Sequence, residues 1–296
     1  MIKYNAFNVK IKFAYYVTDT FTNIHKYHLY NFNMCIQNYI NYINSIDIYL
    51  LIDDIKNEEL INKTKNDIIG SLSSSIIVYF HIRQNYPEYR EGLIYKEEVI
   101  DKLDQYEDND LILFLHTKGV TNKKNIENLL NTYEWISIMY FFNICTIKEI
   151  LTRIYHEKNI ITYGTLYNYS EQSKVKYKWM YVGAFHYIYP HRLLKYFKEK
   201  NISLDNVKAN YNDEQNIKLC AEEFIGDNID LDHVGFMDDY MFNKYYDPLK
   251  YDKFNIGYDK IRYVLSNFCM IKNINICYNT YLNILDKFSN EITNDL

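Results

Sequence analysis

Residues 110–119 read DLILFLHTKG: after Asp110 come five consecutive apolar residues, and then His116, Thr117, Lys118 and Gly119 leave the run together. A run this short and apolar on both faces is what a strand buried inside a parallel sheet requires. Three earlier runs share the pattern. Residues 9–17 (VKIKFAYYV) end in Thr18-Asp19, residues 47–52 (DIYLLI) in Asp53-Asp54, and residues 76–82 (IIVYFHI) in Arg83-Gln84. Helical spacing fills the intervals at 27–43, 57–69 and 95–106; in the first of these Leu29, Phe32, Ile36, Ile40 and Ile43 share a face. Strand and helix alternating in this way predict an α/β fold with a mainly parallel sheet flanked by helices.

The second half continues less regularly. A helical stretch at 125–157 contains Asn131 and Glu134 at capping-box spacing. A strand is expected at 159–166, a polar loop at 167–178 and an extended apolar segment at 180–189 with Gly183 inside it. Pro190 is placed to open a helix over 191–200, and a helix over 213–224 carries Glu222 and Glu223. Beyond about residue 235 the pattern loosens. The chain therefore divides into a domain at 1–235 and a C-terminal extension at 236–296 packed on it.

Composition narrows the function. The 296 residues include 33 Tyr and 16 Phe but only 8 Gly and 3 Pro, and nearly all positive charge is Lys. Asn, Ile, Lys, Tyr and Phe are residues of A/T-rich codons, so this bias reflects the genome and devalues any signal built on Tyr or Lys. With 48% hydrophobic residues and a net charge of -5, disorder and a broad nucleic-acid surface are excluded. No stretch approaches the about 18 uninterrupted apolar residues of a membrane span, and residues 1–12 lack a signal core. The five Cys have no metal-type spacing and fit reduced thiols in a cytoplasmic protein. Too few glycines remain for a dinucleotide fingerprint, and no nucleophile motif is present.

Ligands of open α/β sheets gather at the carboxyl ends of the strands. Here those ends supply Thr18, Asp19, Asp53, Asp54, His116, Thr117, Lys118 and Gly119. Carboxylates suit ribose hydroxyls or base edges; Lys118 and His116 suit a diphosphate. A nucleotide or nucleotide sugar is the expected ligand. The plainer alternatives are helix-capping carboxylates, a solvated Lys118 and a packed His116.

The series LILFLHTKG (111–119), Trp135 with IMYFF (138–142), TYGTL (162–166), YVGAFHYIYPHRL (181–193) and AEEFIGD (221–227) resembles a group of GT-A-type glycosyltransferases of bacteria and large DNA viruses. The resemblance covers about residues 9–230 and implies a Rossmann-like domain that takes a UDP- or GDP-sugar and passes the sugar to a glycan, protein or small-molecule acceptor. It implies Glu222 or Glu223 as the base that deprotonates the acceptor, and Trp179, Gly183, Ala184 and Phe185 as the acceptor wall, with Tyr181 and His186 as stacking candidates.

One departure stands out. Where most GT-A enzymes carry Asp-x-Asp to hold manganese or magnesium, this chain has HTKG. Lys118 then replaces the metal's charge, or His116 joins an altered metal site. The literal match at Asp108–Asp110 precedes its strand and lies at the wrong edge of the sheet. The match at Asp230 and Asp232, followed by His233, is a candidate late contribution to a metal. A degenerate GT-A fold that binds a glycan or protein without catalysis is the competing expectation.

Overall fold

The computed structural model describes residues 6–18, 23–117, 136, 139–164, 167–169, 179–181 and 185–236. Among these, seven strands form one mixed, mostly parallel sheet in the order β3-β2-β1-β4-β8-β5-β9. The strands are β1 (Asn8–Tyr16), β2 (Ile43–Ile52), β3 (Tyr79–Gln84), β4 (Asp110–His116), β5 (Thr162–Gly164), β8 (His186–Ile188) and β9 (Val234–Phe236). β1 runs parallel to β2 and β4, and β2 parallel to β3. β8 is antiparallel to both of its neighbours, β4 and β5. β6 (Tyr167–Tyr169) and β7 (Trp179–Tyr181) pair in a separate two-stranded ribbon. This is the mainly parallel α/β sheet that the alternation of runs predicts, in the Rossmann-like form that the resemblance implies.

The central strands show why these residues choose this sheet. Every residue of β4 is buried, as expected of a strand covered on both faces. β1 alternates instead: Val9, Ile11, Phe13 and Tyr15 are buried, while Lys10 and Lys12 stand between them. Each lysine meets a carboxylate from the adjacent strand, Lys10 with the buried Asp110 at 2.6 Å and Lys12 with Asp47 at 3.1 Å. A charge placed within a sheet needs such a partner to offset desolvation.

Boundaries moved where tertiary pairing overrides local spacing. Helix α1 spans Asn23–Ile36 and stops short of residue 43, because Ile43 already pairs with Val9 and the Asn44 side chain accepts from the Val9 amide. Helix α2 (Glu58–Ser71) starts as expected, with the Asn57 side chain accepting from the Leu60 amide. β3 lies later than residues 76–82, and Ile77 is 71% exposed. Helix α3 (Glu91–Tyr95) begins four residues before residue 95 and continues as a π-helical turn, Lys96–Ile100. Helix α4 (Ile147–His156) follows a second π-turn, Phe141–Cys145. The extended segment expected at 180–189 is two strands in two sheets, β7 and β8. Helix α5 (Pro190–Glu199) opens with its proline in the first turn, α6 spans Leu204–Asn210, and α7 (Glu214–Asn228) is capped by Asp213.

The tyrosine-rich core carries a polar consequence. Tyr15, Tyr27, Tyr49, Tyr95, Tyr140, Tyr163 and Tyr187 are fully buried, so their hydroxyls need partners. Tyr95 pairs with His186 Nε2 at 2.9 Å, Tyr140 with His28 Nδ1 at 3.1 Å, and Tyr187 donates to the Asn143 carbonyl. Cys35, Cys145 and Cys220 are buried. No helix among the described residues is long and apolar enough to cross a membrane.

Arg192 shows how the antiparallel β8 is anchored at its exit. Its guanidinium donates to the carbonyls of Ile154, Glu157 and Ile160, which end α4 and lead towards β5, and it lies over the Tyr189 ring. Arg192→Ala leaves those carbonyls without their donor. We expect it to destabilise the protein by about 2 kcal/mol, read from urea unfolding; an unchanged midpoint would remove the clamp.

Candidate functional site

The carboxyl ends of β3, β2, β1 and β4 lie in one row, joined beyond the strands by Asn85 N to Ile52 O and by Val17 N to Leu51 O, both at 2.8 Å. Chain order runs outward from β1 through β2 to β3, then returns to the other side of β1 as β4. The crevice between β1 and β4 is therefore the topological switch point, where open α/β sheets bind their ligands.

Tyr16, the last residue of β1, is the hub of this crevice. Its amide donates to Thr117 Oγ1 at 2.9 Å, its carbonyl accepts from His25 Nε2 at 3.0 Å, and its hydroxyl donates to Glu91 Oε2 at 3.2 Å. The Thr117 amide in turn donates to the Ala14 carbonyl at 3.0 Å. Three segments thus converge on one residue, two of them from 75 and 101 positions away. His25 is 1% exposed, and burial holds its ring below the usual imidazole range, so the neutral form with the proton on Nε2 makes this bond. Burial, then the Glu91 carboxylate, push the Tyr16 phenol far up, so it remains a hydrogen-bond donor.

Glu91 is the carboxylate of the crevice. Its Oε1 lies 3.6 Å from His116 Nδ1, with side-chain exposures of 14% and 3%. The ring of His116 meets Phe185 edge-on, and Phe185 meets Tyr140 in the same way. Arg90, immediately before Glu91, has φ 51° and ψ -145°, a conformation that a side chain resists. The start of α3 is thus held by its surroundings. One contact that holds it is Gly92: a Cβ there would sit 1.8 Å from the Ile217 carbonyl oxygen, so α3 and α7 touch backbone to backbone. Cys220 Sγ donates to the Gly92 carbonyl across the same contact.

Beside the crevice, Thr18 joins Tyr15, Val17, His25, Leu60, Lys63, Thr64 and Asp67 around a narrow opening between α1 and α2. The buried Tyr15 hydroxyl has no hydrogen-bond partner among the described residues.

No protein-family model matches the chain, and no curated protein is similar to it. Among solved structures, it is similar to a 4-diphosphocytidyl-2C-methyl-D-erythritolsynthase from Anaerococcus prevotii. The two are 9% identical, the match covers 79% of this chain and 87% of that one, and the TM-score is 0.34. A likeness that distant says nothing of chemistry, and the fold is read from the strand order itself.

The residues proposed from sequence now have positions. His116 and Thr117 lie at the exit of β4 at the switch point, and Thr18 follows β1 beside it. Thr117 is 2% exposed and serves first to stitch β4 to β1. Asp53 and Asp54 are exposed at the end of β2; Asp53 Oδ1 accepts from Asn85 at 2.7 Å, and Asp54 Oδ1 caps a turn at the Lys56 amide. Glu222 and Glu223 are half-buried on α7, beyond its contact with Gly92. Phe185, read as acceptor wall, is 1% exposed and backs His116 from inside; His186 is likewise buried against Tyr95. Asp19, Lys118, Gly119, Gly183 and Ala184 lie outside the described residues, as do Tyr181 and Trp179 beyond their backbone placement in β7.

The metal candidates do not assemble. Asp230, Asp232 and His233 precede β9, which runs parallel to β5 and hence to β4, so they sit at the amino edge while His116 ends β4 at the carboxyl edge. Asp230 is occupied there by Tyr196 at 3.0 Å and Lys200 at 3.2 Å, and His233 bonds the Asn159 carbonyl at 2.9 Å. Among the described residues no group of three His, Cys, Asp or Glu could hold a metal. The described side chains do not fit a divalent-metal cage, and no chemical step is derived through one.

Sequence reasoning missed Tyr16, His25 and Glu91. Only one signal pointed to Glu91: it precedes Gly92, one of 8 glycines in a glycine-poor chain. The stitch at Thr117 is directly testable. Thr117→Val removes the acceptor of a buried amide and should cost about 1–3 kcal/mol, while Thr117→Ser should retain most of the stability in thermal unfolding.

Proposed function

We propose that the protein is a glycosyltransferase that moves a sugar from a nucleoside-diphosphate sugar to a hydroxyl acceptor. The observation that carries this reading is the β1/β4 switch point, closed at its base by the Tyr16 hub and followed in sequence by Lys118. The donor base and ribose are assigned to the ends of β1 and β2, near Thr18, Asp19, Asp53 and Asp54. The diphosphate is assigned to the residues that follow β4 in sequence, among which Lys118 would supply positive charge and Gly119 would allow close backbone approach, with His116 at the strand's end.

The reaction is displacement at the anomeric carbon. The acceptor oxygen forms the new bond, the bond from that carbon to the diphosphate breaks, and the nucleoside diphosphate departs with its charge stabilised by Lys118. The acceptor proton passes to a carboxylate, for which Glu222 and Glu223 are the candidates. Their half-buried setting on α7 supports the assignment, since a base works best when partly desolvated.

Calorimetric titration with UDP- and GDP-sugars, with and without manganese, tests this. One donor should bind without added metal, and Lys118→Ala should weaken it at least tenfold with thermal stability unchanged. Strict manganese dependence would overturn the metal-free version. No binding by any donor would favour a catalytically degenerate glycan- or protein-binding module.

A further inference from the structure

The sheet has an open edge at β3. Among the described residues this strand pairs with β2 alone. The Asn85 amide donates to the Ile52 carbonyl, and parallel pairing uses every second residue of a strand. Tyr79, His81 and Arg83 therefore turn their backbone groups to β2, while Phe80, Ile82 and Gln84 turn theirs outward. The Ile82 carbonyl accepts only from the side chain of its neighbour Arg83, at 3.2 Å, among the described residues.

Exposed apolar residues gather in the same unit. Ile55, Ile69, Ile77, Tyr79 and Tyr86 all belong to the segment from the exit of β2 to the exit of β3; elsewhere among the described residues only Tyr155 and Leu231 are large, apolar and exposed. Residues 71–80 (SLSSSIIVYF) carry no charge. Natural sheet edges are blunted by lysine, proline or a bulge, and β3 (YFHIRQ) contains none of these.

We infer that β3 is an interface between two copies of this chain, paired antiparallel about a two-fold axis at His81. In this register the outward residues meet as Phe80 and Ile82 of opposite copies, and each such pair exchanges both backbone hydrogen bonds. Phe80 and Ile82 lie on the face covered by α2, where Lys65 sits over the Phe80 ring. On the other face Arg83 falls opposite Tyr79 of the second copy, a cation against an aromatic ring, and symmetry makes that contact twice. β3 supplies both halves of the contact, which selects a second copy over a foreign strand. His81 meets its own counterpart at the axis, with Nε2 engaged by Asp47 Oδ1 at 2.8 Å. The entry of one strand, with Ile77 and Tyr79, runs beside the exit of the other, with Tyr86. A two-fold contact closes at two copies. The edge lies beyond β2 from the β1/β4 crevice, so the interface does not rest on the glycosyltransferase reading.

Light scattering and sedimentation of the full chain from about 1 to 100 µM test this. The mass should rise to twice 35.9 kDa with concentration. Ile77→Lys with Tyr79→Lys should hold it at the monomer value with the circular dichroism and melting temperature of the wild type, because both residues are exposed. Tyr155→Lys, an exposed ring on α4, should leave the dimer intact. His81→Cys tests the register. Facing residues of a non-hydrogen-bonded antiparallel pair lie about 4.5 Å apart at Cα, within reach of a disulfide, so mild oxidation should cross-link this variant as a dimer and leave the wild type uncrosslinked. A wild type that stays monomeric at the highest concentration, a larger polymer, a dimer that survives the folded double-lysine variant, or a dimer in which Cys at 81 does not cross-link would each overturn the inference.

Discussion

Gly92→Ala should destabilise the protein by about 3 kcal/mol or more, lowering the melting temperature by about 10 °C for a chain of this size. The Cβ would lie 1.8 Å from the Ile217 carbonyl oxygen and 2.8 Å from its carbon. Those are backbone atoms of α7, so no side-chain rotation relieves the overlap and the two helices must separate. Separation also strains the Cys220 bond to the Gly92 carbonyl. Two consequences should appear together: a lower midpoint in thermal or urea unfolding, and displacement of Glu91 from Tyr16 and His116. If Gly92→Ala melts like the wild type, the close approach of α3 and α7 is wrong. Cys220→Ala is the milder companion, losing one weak bond without forcing the helices apart.

Acid should unfold the protein through His186 before its carboxylates titrate. The ring is fully buried beside Tyr95, and burial pushes its pKa down to about 3. In the unfolded chain the same ring takes a proton near the ordinary value of about 6.5. Between those values the unfolded state binds the extra proton, so stability is present in full above the unfolded pKa and is lost as pH falls. The slope is about 1.4 kcal/mol per pH unit for this one group, several kcal/mol in all by the bottom of the window. His25, also held down by burial, adds in the same sense. Urea midpoints measured from pH 8 to 4 should fall steeply below about 6.5, and His186→Gln should flatten that fall even if it lowers stability at pH 8. A flat wild-type profile from pH 7 to 5 would show that His186 is not buried as a neutral ring.

The parts of this fold legible in the sequence are those where one physical constraint dominates. β4 could be read because a strand buried on both faces leaves no polar residue between Asp110 and His116. The α5 start could be read because proline tolerates few places in a helix and the first turn is one. Where constraints compete, the reading slipped. The apolar residues 76–78 extend the β3 pattern upstream of its pairing, a result of isoleucine being abundant everywhere in this chain. The segments around β7 and β8 are both extended and apolar, and nothing local says that they join different sheets. α3 was placed late because its start is strained at Arg90 and its continuation is π-helical. The candidate site divides in the same way. The places of His116 and Thr117 at the exit of β4 could be read because strand ends are local features. The bonds from Tyr16 to Glu91, 75 residues away, and to Thr117, 101 residues away, are properties of the folded chain alone.

The two lysines of β1 acquire another meaning when the chain is followed as it is made. β1 can pair with β2 once residue 52 has emerged, but its other neighbour begins at Asp110. At about 5–20 residues per second, the second edge of β1 stays open for several seconds of synthesis. It is a long strand of Val, Ile, Phe and Tyr, the composition that invites pairing with another chain. Lys10 and Lys12 place charge within that edge before Asp110 exists to neutralise Lys10, which is how natural sequences guard unavoidable hydrophobic strands. Replacing Lys10 and Asp110 together with apolar residues would leave the finished sheet without its buried ion pair and the unfinished one without its protection.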